Sequence, residues 1–69
     1  MEFPYVVKVV WGDVCVALHG CGSIDEASDC VIRETAGRVH APIDAQVQVF
    51  HGASIIEYFE FNGKTWEVK

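Results

Sequence analysis

The closing stretch EYFEFNGKTWEVK (residues 57–69) decides the fold, because it joins alternating side chains to a turn signal. Asn62-Gly63 separates two alternating runs, and this dipeptide favours a β-hairpin with a two-residue type I′ turn. Such a turn pairs Phe61 with Lys64 and Phe59 with Trp66. We therefore predict an antiparallel hairpin whose aromatic face belongs to the core.

The other face of this hairpin is acidic. The predicted register pairs Tyr58 with Glu67 and places Glu60 beside them. Glu60 and Glu67 suit a solvated face, but aromatic residues next to polar ones are also typical of protein interfaces. Glu57 is harder to explain, because it falls on the face of Phe59. The sequence predicts that Glu57 is either at a sheet edge or paired.

A second hairpin is predicted near the start of the chain, where residues 3–11 and 14–19 flank Gly12-Asp13. Glycine at the first loop position suits a type II′ turn. The resulting register places three cross-strand pairs on one face: Trp11–Val14, Val9–Val16 and Val7–Leu18.

One helix is predicted over residues 23–36. Ser23 and Glu26 match a capping box, in which each side chain accepts a hydrogen bond from a free backbone N–H at the helix start. Gly37 is expected to end the helix. Helical spacing places an apolar stripe of small side chains toward the sheet: Ile24, Ala27, Ser28, Val31 and Thr35.

These elements, with an alternating strand over 45–50, give the order β-β-α-β-β-β in a single domain, residues 1–69. The predicted fold class is α+β, an antiparallel sheet of about five strands with one helix on one face. One helix covers only one side of a sheet. The predicted uncovered side mixes apolar and charged residues, which often marks an interface: Val6, Lys8, Val10, Ala17, Ile56, Tyr58, Glu60 and Glu67.

Composition narrows the possible partners. The formal net charge is −5, with ten acidic residues against five basic ones. This balance disfavours direct nucleic-acid binding, which depends on clustered Lys and Arg. No apolar run approaches the ~20 residues that cross a bilayer, and the N-terminus lacks the pattern of a secretion signal. We expect a cytoplasmic protein without a membrane partner.

Metal and catalytic chemistry are not predicted. Cys15, Cys21 and Cys30 are an odd number of cysteines, and their spacing with His19 matches no common zinc module. Reduced, mostly buried thiols are the expectation, and zinc is the weaker alternative. His40 and His51 have no evident nucleophile beside them, and so small a domain is expected to lack room for a ligand pocket of ~300 Å³. We therefore expect neither an enzyme nor a cofactor.

The acidic residues are the candidate binding residues. Asp25, Glu26 and Asp29 suit the positive end of the helix, which is a sufficient structural reason for them. A partner with a basic surface is the functional alternative. The predicted partner-binding residues are Asp25, Glu26, Asp29, Glu57, Tyr58, Glu60 and Glu67.

A family resemblance sharpens this hypothesis. The stretch VFHGASIIEYFEFNGKTWEVK (49–69) resembles the ends of some small phage-encoded anti-CRISPR proteins, in which a strand with a His-Gly pair leads to a hairpin ending in G-K-x-W. The segment SIDEASDCVIRE (23–34) occupies the position of their helix. The likeness covers about half of the chain, and it transfers no functional residue because those proteins differ greatly from one another.

The resemblance implies a non-enzymatic inhibitor in the bacterial host cytoplasm that binds a type I CRISPR effector complex. Such inhibitors cover the basic surface where target DNA would lie. An acidic protein that resembles them is expected to act there as a DNA mimic, with carboxylates at phosphate-like positions. The alternative is a homodimeric structural or accessory domain that associates through its uncovered sheet face, so a monomer and a homodimer both remain open.

Overall fold

The computed structural model describes residues 3–37 and 41–68. It contains five β-strands and one α-helix, in the chain order β1 (Tyr5–Trp11), β2 (Val14–Cys21), α1 (Ile24–Gly37), β3 (Gln46–His51), β4 (Ser54–Phe61) and β5 (Trp66–Val68). The strands form one sheet in the order β2-β1-β3-β4-β5, and every neighbouring pair is antiparallel. The predicted α+β fold is therefore confirmed.

The core lies between α1 and the three strands β2, β1 and β3. Val7, Val9 and Val47 are fully buried in the middle of the sheet, and Ala27, Cys30 and Val31 pack on them from the helix. A second, smaller core cluster forms around Phe61, with Ala41, Ala45 and the two tryptophans Trp11 and Trp66 against it. Since α1 packs on β1, β2 and β3, it does not cover β4 and β5, and the second cluster covers only the Phe61 end of β4.

The predicted register of the first hairpin is wrong beyond its turn. Trp11 does pair with Val14, and Gly12 has the positive φ of 64° that the turn requires. A β-bulge then follows, so that Val9 pairs with Ala17 instead of Val16. Because two residues of β2 oppose one residue of β1 at the bulge, every side chain of β2 after it lies on the opposite side of the sheet from the one predicted.

This reversal changes which side chains of β2 meet the helix. Ala17 and His19 now lie on the helix side, opposite Val9 and Val7, and Leu18 lies on the other side, opposite Lys8. The small side chain of Ala17 permits close packing under the helix, where Ala27 is 1% exposed. Close packing of this kind depends on side-chain volume more than on hydrophobicity alone.

The last hairpin also differs from the predicted register, although its faces are right. Phe61 pairs with Trp66 instead of Lys64, which gives a four-residue loop over 62–65. The Asn62 side chain closes this loop by accepting hydrogen bonds from the backbone N–H groups of Lys64 (2.8 Å) and Thr65 (2.9 Å). Only Gly63 has a positive φ there, whereas a type I′ turn needs two such residues.

At the helix start the Ser23 cap is confirmed, but the Glu26 side chain bonds the N–H of Gly22, one residue before the Ser23 N–H that a full capping box uses. The N–H of Glu26 donates to the Ser23 hydroxyl (3.2 Å), and the Glu26 carboxylate accepts from the N–H of Gly22 (2.9 Å). At the other end, Gly37 is the last helical residue and lacks the left-handed φ of a glycine cap. The apolar stripe is rotated from its predicted position, because Cys30 is buried whereas Ile24 is 47% exposed.

Replacing Ser23 with alanine is expected to lower the free energy of unfolding by ~1 kcal/mol, because a helix N–H loses its acceptor. Ser28→Ala is the matched control. Ser28 is exposed within the same helix, where alanine is the better helix former. Urea unfolding followed by circular dichroism measures both, and equal stability of the two variants would contradict the capping role.

Within the part of the chain that the structure describes, no helix combines the length and the apolar character needed to cross a membrane.

Candidate interaction surfaces

The side of the sheet that faces away from α1, called the open face below, carries three rows of side chains across the strands. The strand registers define these rows as Gly20–Val6–Phe50–Ile55, Leu18–Lys8–Gln48–Tyr58 and Cys15–Val10–Gln46–Glu60–Glu67. Two predicted members are absent from them. Ala17 lies under the helix because of the bulge in β2, and Ile56 is displaced by a second bulge in β4.

The open face combines exposed apolar side chains with the polar side chains of Lys8, Gln46 and Gln48 on its middle strands. Leu18 on β2 is 64% exposed, and Ile55 on β4 is 49% exposed on the same face, three strands away. Phe3 covers one corner, since a Cβ on Gly20 would lie 2.2 Å from its ring. Solvated apolar side chains on both sides of a continuous sheet face are typical of a surface that binds another protein.

Glu60 and Glu67 form the acidic margin of the open face. They are directly opposite each other on β4 and β5. Two carboxylates in such a cross-strand pair repel each other and lower stability. Hydrogen bonds hold both side chains in place: Gln46 donates to Glu60 at 3.3 Å, and Asn62 donates to Glu67.

Tyr58 lies next to this acidic pair, half-buried and opposite Gln48. The amide of Gln48 donates to the side-chain oxygen of Gln46 at 2.9 Å, and Gln46 in turn donates to Glu60. The two glutamines thus form a polar ladder beside Tyr58 that orients the Glu60 carboxylate. The structure therefore brings together three of the predicted binding residues: Tyr58, Glu60 and Glu67.

The helix acids do not join this surface, because α1 lies on the other side of the sheet. The Glu26 side chain is already engaged at the helix start, where it accepts a hydrogen bond from the N–H of Gly22. Glu26 and Asp29 also line a polar cleft of about 310 Å³ together with Arg33. Asp25 is exposed in the first turn. The structural explanation by capping and helix dipole therefore accounts for Glu26 fully.

An apolar groove runs between α1 and β4, on the helix side of the sheet. It has a volume of about 440 Å³. The expectation that a domain of this size lacks room for a pocket is therefore wrong. The groove exists because α1 does not extend over β4 and β5, so the residues there have no helix above them.

Glu57 lies at this groove, together with Ile56 from the bulge. The prediction that Glu57 shares a face with Phe59 is confirmed. Glu57 pairs with Val49 and Phe59 pairs with Val47, two residues apart on each strand. It is exposed there, although β4 is not an edge strand. The prediction that Ile56 lies on the uncovered face is wrong, because a bulge leaves no mark in the alternation of the strand.

The cysteines and His19 do not come together in one place. His19, Cys21 and Cys30 line the polar cleft, whereas Cys15 pairs with Val10 on the open face. Among the described residues, no three His, Cys, Asp or Glu side chains are placed to hold a metal ion. His40 lies outside the described residues.

The cleft is instead organised by hydrogen bonding and burial. The Nε2 atom of His19 lies 2.9 Å from Glu34. Burial raises the pKa of the Cys30 thiol, with further contributions from Cys21 and Glu34. A raised pKa keeps a thiol protonated and poorly nucleophilic. Cys30 is therefore a packing residue of the core, which its place in the main cluster also indicates.

The fold and these surfaces define a small α+β domain with one open sheet face and one apolar groove. No protein family, curated protein or solved structure matched the chain.

Proposed function

We propose that this protein acts without catalysis, as an acidic inhibitor that binds another protein through the open face of its sheet. The observation that carries the proposal is the combination on one surface of exposed apolar side chains with the Glu60–Glu67 pair. Exposed apolar side chains together with charged groups at the margin are the usual composition of a protein interface.

The proposed partner is a type I CRISPR effector complex, at a basic surface that would otherwise hold target DNA. The family resemblance of residues 49–69 and the net charge of −5 support this choice. The acidic margin also suits it, because two carboxylates on neighbouring strands present fixed negative charge as DNA phosphates do. Basic surfaces attract such groups through the same electrostatics that governs phosphate contacts.

A pull-down against purified type I effector complexes, followed by competition with target DNA, tests the proposal. We expect the protein to be retained and to displace the DNA. Binding should weaken as salt is raised, because charge attraction between exposed groups is screened over ~8 Å at physiological ionic strength. Absence of binding to every such complex would refute the effector as partner.

Replacing Glu60 and Glu67 together with glutamine is expected to spare folding and weaken partner binding by roughly tenfold. Stability should change by less than ~1 kcal/mol and in the favourable direction, since the cross-strand repulsion disappears. Titration calorimetry and thermal unfolding measure the two effects.

The control carries Asp25→Asn with Asp29→Asn, which removes the same charge from the helix and leaves the hydrogen bond between Gly22 and Glu26 intact. It should bind as the unchanged protein does. Equal loss in both double variants would show that net charge alone matters, and unchanged binding in both would discard phosphate mimicry and leave the apolar rows as the contact.

The alternative function is a homodimeric accessory domain that buries the same open face in a second copy. Lys8 favours this alternative, because it is the one basic residue among the described side chains of the three rows, at the centre of β1. In a two-fold pairing of two such faces it would meet the acidic margin of the other copy. Sedimentation equilibrium distinguishes the two functions, since a stable dimer supports the alternative and a monomer supports the inhibitor.

A further inference from the structure

The apolar groove provides a second binding surface, on the side of the sheet opposite the open face. One wall is the side of α1 that faces β4, and the other is formed by β3, β4 and β5. Residues of the predicted helix stripe line it, namely Ile24, Ala27, Ser28, Val31 and Thr35. The stripe therefore divides its residues between the core and this groove.

Three isoleucines at the groove remain solvated. Ile24 is 47% exposed, Ile32 is 62% exposed and Ile56 is 48% exposed. Ile24 and Ile32 lie two helical turns apart on α1, and the bulge of β4 brings Ile56 to the groove from the other wall. Covering these side chains would remove apolar surface from water, which is favourable in proportion to its area.

The groove has one charged group. Among the described residues that line it, Glu57 is the only ionisable side chain, and it is exposed. A carboxylate beside apolar walls favours an occupant with a positive charge and disfavours an anionic one such as a fatty acid. Because the wall residues from Ile24 to Thr35 extend along the helix for ~16 Å at 1.5 Å per residue, the groove is long enough for two to three turns of a helix.

We propose that this groove binds an amphipathic peptide helix that carries large aliphatic side chains and one lysine or arginine directed at Glu57. This is the helix-in-groove mode of recognition, in which apolar residues at helical spacing enter an apolar channel. A second copy's own helix is disfavoured as the occupant, because Asp25, Glu26 and Asp29 cover its outer side. The inference is independent of the proposed function, since it concerns the opposite side of the sheet.

The test uses a synthetic peptide of about sixteen residues, with leucines at positions i, i+3, i+4 and i+7 and one lysine beside them, against the full chain. Titration calorimetry should give saturable binding with one peptide per protein. Glu57→Gln should weaken it about fivefold, and Ile32→Ser about tenfold.

Two matched controls separate groove binding from general attraction to an acidic protein. Glu67→Gln removes the same charge as Glu57→Gln. Leu18→Ser matches Ile32→Ser, because Leu18 is 64% exposed and Ile32 is 62% exposed. Both controls lie on the open face and should leave peptide affinity unchanged. Circular dichroism verifies that all four variants fold.

Two results would overturn the proposal. One is the absence of saturable binding to the unchanged protein. The other is equal weakening by the groove variants and their controls, which would assign the binding to net charge. A failure of the effector pull-down leaves this test unaffected, because the synthetic peptide replaces the biological partner.

Discussion

Replacing Phe61 with alanine is expected to lower the free energy of unfolding by about 3–5 kcal/mol, the range for removing a buried phenylalanine. Phe61 is 3% exposed, and its ring centre lies 5.1 Å from that of Trp66. Its N–H also donates to the carbonyl of Ala45 (3.0 Å), but alanine retains that bond. The loss therefore comes from the cavity and from the aromatic contact.

In a domain of this length such a loss corresponds to a fall in melting temperature of roughly 15 °C or more. Thermal unfolding followed by circular dichroism measures it. Phe3→Ala is the control, since Phe3 is 50% exposed and should cost about 1 kcal/mol or less. If Phe61→Ala does not fold, Phe61→Leu gives a smaller measurable loss. Similar melting temperatures for the Phe61→Ala and Phe3→Ala variants would contradict the second core cluster.

Replacing Leu18 with aspartate is expected to weaken partner binding by about 100-fold and to leave folding intact. Leu18 is 64% exposed on the edge strand β2, so the free protein tolerates a charge there. Leu18 is on β2, at the far edge of the sheet from the Glu60–Glu67 margin that would meet the basic groups. In the proposed complex the new charge would be buried against apolar surface of the partner, where an uncompensated charge costs several kcal/mol. This single change tests the apolar part of the open face, as the Glu60 and Glu67 variants test its acidic margin.

Ile32→Asp is the matched control, because Ile32 is 62% exposed but lies on the helix side of the sheet. It should bind the open-face partner normally. If the partner is a second copy, Leu18→Asp should convert the dimer to a monomer, which sedimentation detects. Normal binding by Leu18→Asp would exclude the β2 side of the open face from the interface.

Local patterns in the sequence predict the order of the elements correctly. Alternation predicts the strands, and Gly12-Asp13 predicts the first turn with its positive glycine φ. The capping box predicts the start of α1 to within one residue. These features depend on contacts between residues a few positions apart, so a short stretch of sequence is enough to predict each of them.

The candidate surfaces were less predictable. Glu60, Glu67 and Tyr58 were placed on one face correctly even though the register of the last hairpin was wrong. Phe61 pairs with a residue two positions beyond the predicted one, and an even displacement preserves the face of every side chain. Ile56 and Leu18 were assigned to the wrong sides, since the bulges in β4 and β2 displace the alternation by one residue.

The sequence by itself therefore determined the element order, the single capped helix and the acidic character of the last hairpin. Tertiary structure decided the two bulges, the position of α1 over β2, β1 and β3, and hence the groove beside Glu57. The physical reason is packing between elements that are distant along the chain. The bulge in β2 places Ala17 instead of Val16 opposite Val9, on the side where α1 packs, and the volume available there is set by all the packed elements together.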